Sequence, residues 1–246
     1  MTIASEITRI NGNIAAAYTA CNDKGATMPV NQNSANLATC IGTISTGGSG
    51  GKYSLLERIK DDNNNEIGTV SGFFKDANDV EYAVVCLDAQ YRLASQTWTS
   101  DTSTVTNLTN YNMNSAGIDL ITNVYTDTAT DNCTKILAWC IANGYTSDSV
   151  SHCRSLSFIV DGITYYGQLP NLCELFYVAA NHIAISNADT GKGSYPSNDI
   201  ATWKNTWTST QANNNNSWLI GSNGTVGNNN KTSSFFVIPV LEIPNN

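Results

Sequence analysis

The chain has 246 residues, with 12 Lys and Arg against 20 Asp and Glu, a formal charge of −8, and charged residues make up only 13 % of it. That length gives one domain of ordinary to large size plus a small appendage, with a core that needs no covalent staples. The cations are scattered singly (Lys24, Lys52, Arg58, Lys60, Lys75), so no basic stripe exists to displace counterions from a phosphate backbone, which argues against a nucleic-acid partner.

No apolar run approaches the roughly 18 to 20 residues of a membrane span, and the start MTIASEITRI lacks the features of a secretory signal. A protein made in the cytoplasm, without signal peptide or membrane insertion, is the expectation. The seven cysteines (Cys21, Cys40, Cys86, Cys133, Cys140, Cys153, Cys173) are odd in number and show no CxxC spacing. They read as buried small hydrophobes, with a chance pair such as Cys140 and Cys153 as the alternative.

In chain order, Ile3, Ile7, Ile10, Ile14 and Ala17 recur in steps of three and four, predicting a helix over 3–20 that stops near Gly25 and Pro29. Ser34 stands at a helix-capping position before Leu37, Cys40, Ile41 and Ile44. Residues 1–44 therefore read as a small helical module for attachment or oligomerisation. The run Ser45–Gly51 has neither side-chain volume nor backbone preference and reads as a linker. A phosphate loop would need a preceding strand and Lys followed by Ser or Thr, whereas Lys52 precedes Tyr53.

Residues 52–246 read as one α+β domain. Ile67–Phe74 and Glu81–Leu87, rich in β-branched and aromatic residues, predict a hairpin. Thr130–Ile141 places Cys133, Ile136, Leu137, Cys140 and Ile141 on one helical face, closing at Gly144; Pro170-Asn171 opens a second helix over Leu172–Ala180. Short strands are expected around Ser217–Ile220 and Phe235–Ile243, so β segments at both ends of the domain flank two helices and are placed to pair.

The segment 203–236 is the least ordinary. Nine asparagines fall within residues 205–231: Asn205, Asn213, Asn214, Asn215, Asn216, Asn223, Asn228, Asn229 and Asn230. Asparagine competes for nearby backbone groups, so both tracts are expected as loops. Trp203, Trp207, Trp218, Phe235 and Phe236 repay their ordering only when packed, which implies a rigid aromatic base. Adaptable amides on an aromatic base have the composition of a binding surface.

Several strings resemble a known family. LPNLCEL (Leu169–Leu175), WTST (Trp207–Thr210), SWLI (Ser217–Ile220), SNG (Ser222–Gly224), NNNK (Asn228–Lys231) and FFVIPVL (Phe235–Leu241), with AWCIANGY (Ala138–Tyr145) upstream, resemble in order the C-type lectin-like domains of the formylglycine-generating-enzyme type. That group includes the variable proteins of diversity-generating retroelements, whose adenine-directed mutagenesis acts on Asn codons. The resemblance covers about residues 65–243. It implies a C-type lectin-like fold, a hypervariable ligand-binding face at the nine asparagines, and Trp203, Trp207, Trp218 and Lys231 as framework. The opening EITRINGNIAAAYTACNDKGATMP resembles the helical starts of phage tail proteins. Together these imply a receptor-binding protein on a phage tail (virion) or a bacterial cell surface, self-associating as a homotrimer and contacting other tail proteins. Its expected ligand is a bacterial surface protein or glycan.

No catalysis is expected. His152 and His182 lack a ligand partner at helical spacing, and Asp61, Asp62, Asp88, Asp127, Asp131 and Asp161 show no repeated spacing. Strings used for calcium-dependent sugar binding in the resembled fold are absent, as is any cysteine after Cys173, which the oxidase of that fold requires. Neither metal nor cofactor is expected. A structural tail component and an enzyme acting on surface glycans are the alternatives.

Overall fold

The computed structural model describes residues 3–23, 28–42, 51–109, 128–189, 200, 203–222 and 224–246. They fall into two compact units, Met1–Ser54 and Leu55–Asn246. No helix among the described residues is long and apolar enough to cross a membrane.

The first unit is built on α1 (Ile3–Asp23) and α2 (Ser34–Gly42). The capping residue of α2 is Asn33, one earlier than expected: its Oδ1 accepts the Asn36 N–H at 3.1 Å, and Ser34 becomes the first helical residue. Tyr18, Cys21 and Cys40 form a small core with Ile14, Met28 and Leu37 against it. Tyr18 also donates its hydroxyl to the Asn33 carbonyl at 2.8 Å, tying α1 to the start of α2. Only the second half of the α1 stripe is used in this way, because Ile7 and Ile10 are 54 % and 46 % exposed. Gly25 and, apart from Gly51, the linker 45–51 lie outside the described residues.

The second unit mixes helices with three sheets. β1 (Arg58–Lys60), β2 (Glu66–Lys75), β3 (Glu81–Leu87) and β11 (Val240–Pro244) form an antiparallel sheet in the order β1-β2-β3-β11. The predicted hairpin is β2–β3, and its turn is set by Asp76, whose Oδ1 accepts the N–H groups of Asn78 and Val80. β11 then pairs with β3 over five positions, Val240 opposite Cys86 through Pro244 opposite Tyr82. The end of the chain thus closes onto the start of the domain.

A second sheet has the order β4-β10-β7-β8-β9, from β4 (Leu93–Thr97), β7 (Thr206–Gln211), β8 (Asn216–Ile220), β9 (Val226–Asn230) and β10 (Ser234–Val237). β10 meets β7 in parallel, Phe236 opposite Thr206; the other pairings are antiparallel. β5 (Ser157–Val160) and β6 (Ile163–Tyr166) make a separate hairpin.

Three helices complete the unit. α3 (Ala129–Asn143) is capped by Thr128, which accepts the Asp131 N–H, and ends at Gly144 with φ of 72°, a left-handed turn suited to glycine. α4 (Asp148–Ser155), not anticipated, is capped by Ser147 and buries only Ser149, Val150 and Cys153, too few apolar positions to show a period. α5 (Leu172–Ala188) opens with a reciprocal cap between Asn171 and Glu174 and runs two turns beyond the expected end. Its approach to β2 requires Gly72, since a Cβ there would stand 2.4 Å from the Tyr177 ring.

The centre of the second sheet is buried on both faces. Trp218, Ile220 and Phe236 pack with α5 and with Val84 and Cys86 of the first sheet. Trp207, Leu219 and Val237 face the other way, against Cys133, Ile136, Val150 and Cys153 of α3 and α4. All six residues of β7 are buried although four carry hydroxyls or an amide between Thr208 and Gln211. They are tolerated because each finds a partner. Thr208 donates to the Trp218 carbonyl at 2.9 Å, Ser217 to that of Thr210 at 2.8 Å, and Thr210 Oγ1 accepts the Leu172 N–H at 3.1 Å.

Candidate functional site

The sheet brings the asparagines to the ends and outer edge of β8–β9. Between β7 and β8, Asn213 shapes the turn: its Oδ1 accepts the N–H groups of Asn215 and Asn216, both at 2.9 Å. Beneath the turn lies Lys231, fully buried. Its Nζ donates to the Asn214 carbonyl at 2.9 Å, the Ser103 carbonyl at 2.9 Å and Gln211 Oε1 at 2.6 Å. Its own N–H donates to the Asn215 carbonyl at 3.0 Å. The ammonium also sits 5.0 Å from the centroid of the Trp98 ring, a cation–π contact.

Burial pulls the Lys231 pKa down to about 8, opposed by Asp101 and Cys140. Near neutral pH the group therefore remains an ammonium whose three protons match three acceptors. What the fold uses from Asn214 and Asn215 is the carbonyl of each, while both residues are exposed.

The aromatic frame is anchored through ring nitrogens. Trp98 Nε1 donates to the Thr208 carbonyl at 2.7 Å and Trp207 Nε1 to that of Gln96 at 3.0 Å. Trp207 meets Phe235 edge-on at 4.8 Å, and Trp218 is fully buried. Trp203, half-buried, stands edge-on to His182 at 5.8 Å.

The second tract departs from expectation. Asn228, Asn229 and Asn230 form a strand, paired with Trp218, Ser217 and Asn216. Its amides meet local partners that a strand leaves within reach. Asn216 Nδ2 donates to Asn228 Oδ1 at 2.8 Å, Asn229 Oδ1 accepts the Asn230 N–H at 2.8 Å, and Asn230 Oδ1 accepts the Thr232 N–H at 3.0 Å. Asn213, Asn216 and Asn228–Asn230 thus share one patch. Asn205 lies at the other end of β8, roughly 16 Å away for five strand residues. There its Oδ1 accepts the Ser222 N–H at 2.7 Å. It lines a shallow concavity of about 320 Å³ with Lys204, Ser222, Ser234 and Phe235. Asn223 lies outside the described residues.

Residues considered for chemistry are bound into the fold. His152 Nε2 pairs with the Tyr91 carbonyl at 2.7 Å and His182 Nδ1 with that of Ala179 at 2.6 Å. Asp88 takes both guanidinium nitrogens of Arg58 at 2.7 and 2.6 Å. Asp61 accepts the N–H groups of Asn63 and Asn65, Asp62 that of Gly162, and Asp161 occupies a turn with φ of 54°. Asp131 lies in the first turn of α3, and Asp127 lies outside the described residues. Two carboxyls do meet, Glu174 and Glu242. Burial, then the neighbouring Glu242, holds the Glu174 carboxyl well above the usual range. Both are engaged with helix starts: Glu174 accepts the Asn171 N–H at 2.8 Å, and Glu242 those of Ala129 and Thr130 at 2.8 and 3.0 Å. None of the seven cysteines is in a disulfide. Among the described residues, no group of three or more side chains could hold a metal ion.

Trp98 and Gln211 in the support of the turn, and Glu242 at the start of α3, are buried or paired residues that sequence reasoning missed. Trp98 lies 110 residues from its partner Thr208 and Glu242 lies 113 from Ala129, and no local pattern carries such pairings. The chain matches no known protein family, and comparison with characterised proteins finds no match.

Proposed function

We propose that the second unit is a ligand-binding domain that presents the asparagine-rich face of β8–β9 and its turns to a bacterial surface protein or glycan, and that it has no catalytic role. The observation carrying this reading is the support of the Asn213–Asn216 turn by Lys231 through main-chain carbonyls. A turn held by its backbone keeps its shape while its outward side chains are exchanged, as a variable binding surface needs. The finer fold reading is a C-type lectin-like domain of the formylglycine-generating-enzyme type. Pairing of β11 with β3 and a tryptophan-backed second sheet support it.

The same reading makes the chain a retroelement variable protein on a phage tail or bacterial surface, with α1 joining copies. Ile3, Ile7 and Ile10 continue the stripe in steps of four and three beyond the part that Ile14 and Cys21 pack against α2; Ile7 and Ile10 are exposed, and isoleucine at both heptad positions favours trimers over dimers. Three linked faces bind with avidity even where each is weak.

The test is joint replacement of Asn214, Asn215, Asn228 and Asn229 by Ser and Tyr, read as binding to intact bacterial cells with circular dichroism as the folding check. Binding should change in strength or target while the spectrum stays. Unchanged binding by a folded variant sinks the reading. Light scattering checks the trimer, and a monomer at high concentration removes that part.

A further inference from the structure

We propose that the outer edge of β9, at Val226–Asn228, is a strand-docking surface that takes an extended segment of a protein ligand by main-chain hydrogen bonding. The inference rests on the binding role of this face and names the class of ligand as polypeptide.

The hydrogen-bonding phase of β9 follows from its two flanking pairs. Gly221 N–H donates to the Thr225 carbonyl and Lys231 N–H to the Asn215 carbonyl. With the register that sets Leu219 opposite Gly227 and Ser217 opposite Asn229, those pairs exchange hydrogen bonds across β8–β9, and the alternate pairs do not. The N–H and C=O groups of Val226, Asn228 and Asn230 therefore point away from β8. At Asn230 both are taken: the N–H goes to Asn229 Oδ1 at 2.8 Å, and the carbonyl accepts the Ser233 N–H at 2.9 Å. Val226 and Asn228 are left with two outward donors and two outward acceptors, repeating at about 6.6 Å along the strand. No partner for them stands among the described residues.

Other edges of the two large sheets are interrupted by charge, proline, a register break or a partial partner. β1 is three residues long, carries Arg58 and Lys60, and breaks register between Ile59 and Lys60. β4 has its Gln96 carbonyl taken by Trp207 and its Thr97 hydroxyl donated to Asp148. β11 exchanges two hydrogen bonds with Gln168 across Val240. Exposed edges ordinarily bear charge, proline or a bulge to refuse pairing. β9 reads Val-Gly-Asn-Asn-Asn and pairs with β8 without a register shift. Alternate N–H and C=O groups are what a polypeptide strand offers in return, whereas a glycan has no such repeat. A second copy is disfavoured as occupant because each chain brings a charge of −8 to the contact.

The defining probe is the peptide acetyl-Thr-Val-Thr-Val-Thr-amide, titrated to millimolar concentration against the full chain while backbone amide NMR signals are followed. Signals of Val226 and Asn228 should shift on titration. The same peptide N-methylated at alternate residues should bind at least tenfold more weakly. Asn228→Pro, which removes an outward N–H, should not bind. The N-methylated peptide makes the test independent of whether Asn228→Pro folds. Absence of shifts at Val226 and Asn228, equal binding by the methylated peptide, or shifts that depend on protein concentration alone overturns the proposal, the last by making a second copy the occupant. If the edge fails here while exchange of Asn214 and Asn215 still alters cell binding, the side-chain reading stands without it.

Discussion

The two asparagine tracts have the same composition and opposite structures. Asn213–Asn215 turn away from the sheet, because Asn213 captures two backbone N–H groups and Lys231 fills the hollow below. Asn228–Asn230 run straight, because β8 offers a ladder and each side-chain amide has a neighbour one or two residues away or across the strand pair. Asparagine is poor at forming either helix or strand by itself, but it accepts whichever geometry supplies partners. What decides between turn and strand is the buried support, and in this sheet both tracts rest on Lys231, one through its side chain and the other through its place at the end of β9.

Removing that support should have the largest effect. Lys231→Met leaves the part-buried Asn214 and Ser103 carbonyls without their donor and Gln211 Oε1 with the Val105 N–H alone, at a cost of about 2–4 kcal/mol. Thermal unfolding should show a loss of that order, and hydrogen exchange should rise in the 213–216 turn more than in β9. Equal protection of both tracts in the variant would falsify the distinction between them. Asn213→Ala comes next, at about 1 kcal/mol, since two N–H groups lose an acceptor at a water-accessible turn. Asn230→Ala should cost less, because the ladder bonds of Asn229 and Lys231 on either side persist.

A pH series sharpens the comparison further. The Lys231 folded pKa, about 8, lies below the roughly 10.4 of an exposed lysine, so between these values the unfolded chain holds more protons than the folded one. Stability attributable to this group therefore rises as pH climbs from about 8 to about 10.4, and is lost as pH falls through 8. Denaturant midpoints measured over that window should climb more steeply for the parent than for Lys231→Met. Parallel slopes would show that the ammonium is not desolvated beneath the turn.

Much of the frame was legible where burial is one-sided or a cap is local. The β2–β3 hairpin, α3 with its Gly144 stop, and α5 behind Pro170-Asn171 all carry their signal within a few residues. β7 was not legible. A strand reading Thr-Trp-Thr-Ser-Thr-Gln looks like a polar connection until both of its faces are covered and its hydroxyls are paired. α4 has too short an apolar stripe, and the buried Arg92–Asp189 pair, 2.7 Å apart, joins residues nearly a hundred positions apart. For the candidate site, the tryptophans and Lys231 were expected as framework from motif order alone. Their reason, the Trp207 ring N–H delivered to the Gln96 carbonyl and the Lys231 ammonium to three acceptors and the Trp98 ring, joins residues far apart in sequence. At Asn228–Asn230 the sequence indicates a loop, because propensity describes an isolated residue, whereas the fold forms a strand, because a ladder with a satisfied side chain outweighs propensity.

The smallest expected effects belong to the outward amides. Asn214, Asn215, Asn228 and Asn229 are exposed, and exchange at such positions is ordinarily worth within about 0.5 kcal/mol. The sites are not equivalent in what they lose. Asn214→Ala and Asn215→Ala leave the carbonyls on Lys231 untouched, so unfolding midpoints should be indistinguishable from the parent. Asn228→Ala removes the acceptor of Asn216 Nδ2, and Asn229→Ala frees the Asn230 N–H, so small losses are expected at these two, seen as faster exchange near Asn216 and Asn230. If all four were instead to cost as much as Asn213→Ala, the amides would be structural members of the sheet, and a backbone-held surface with exchangeable side chains would be the wrong description of this face.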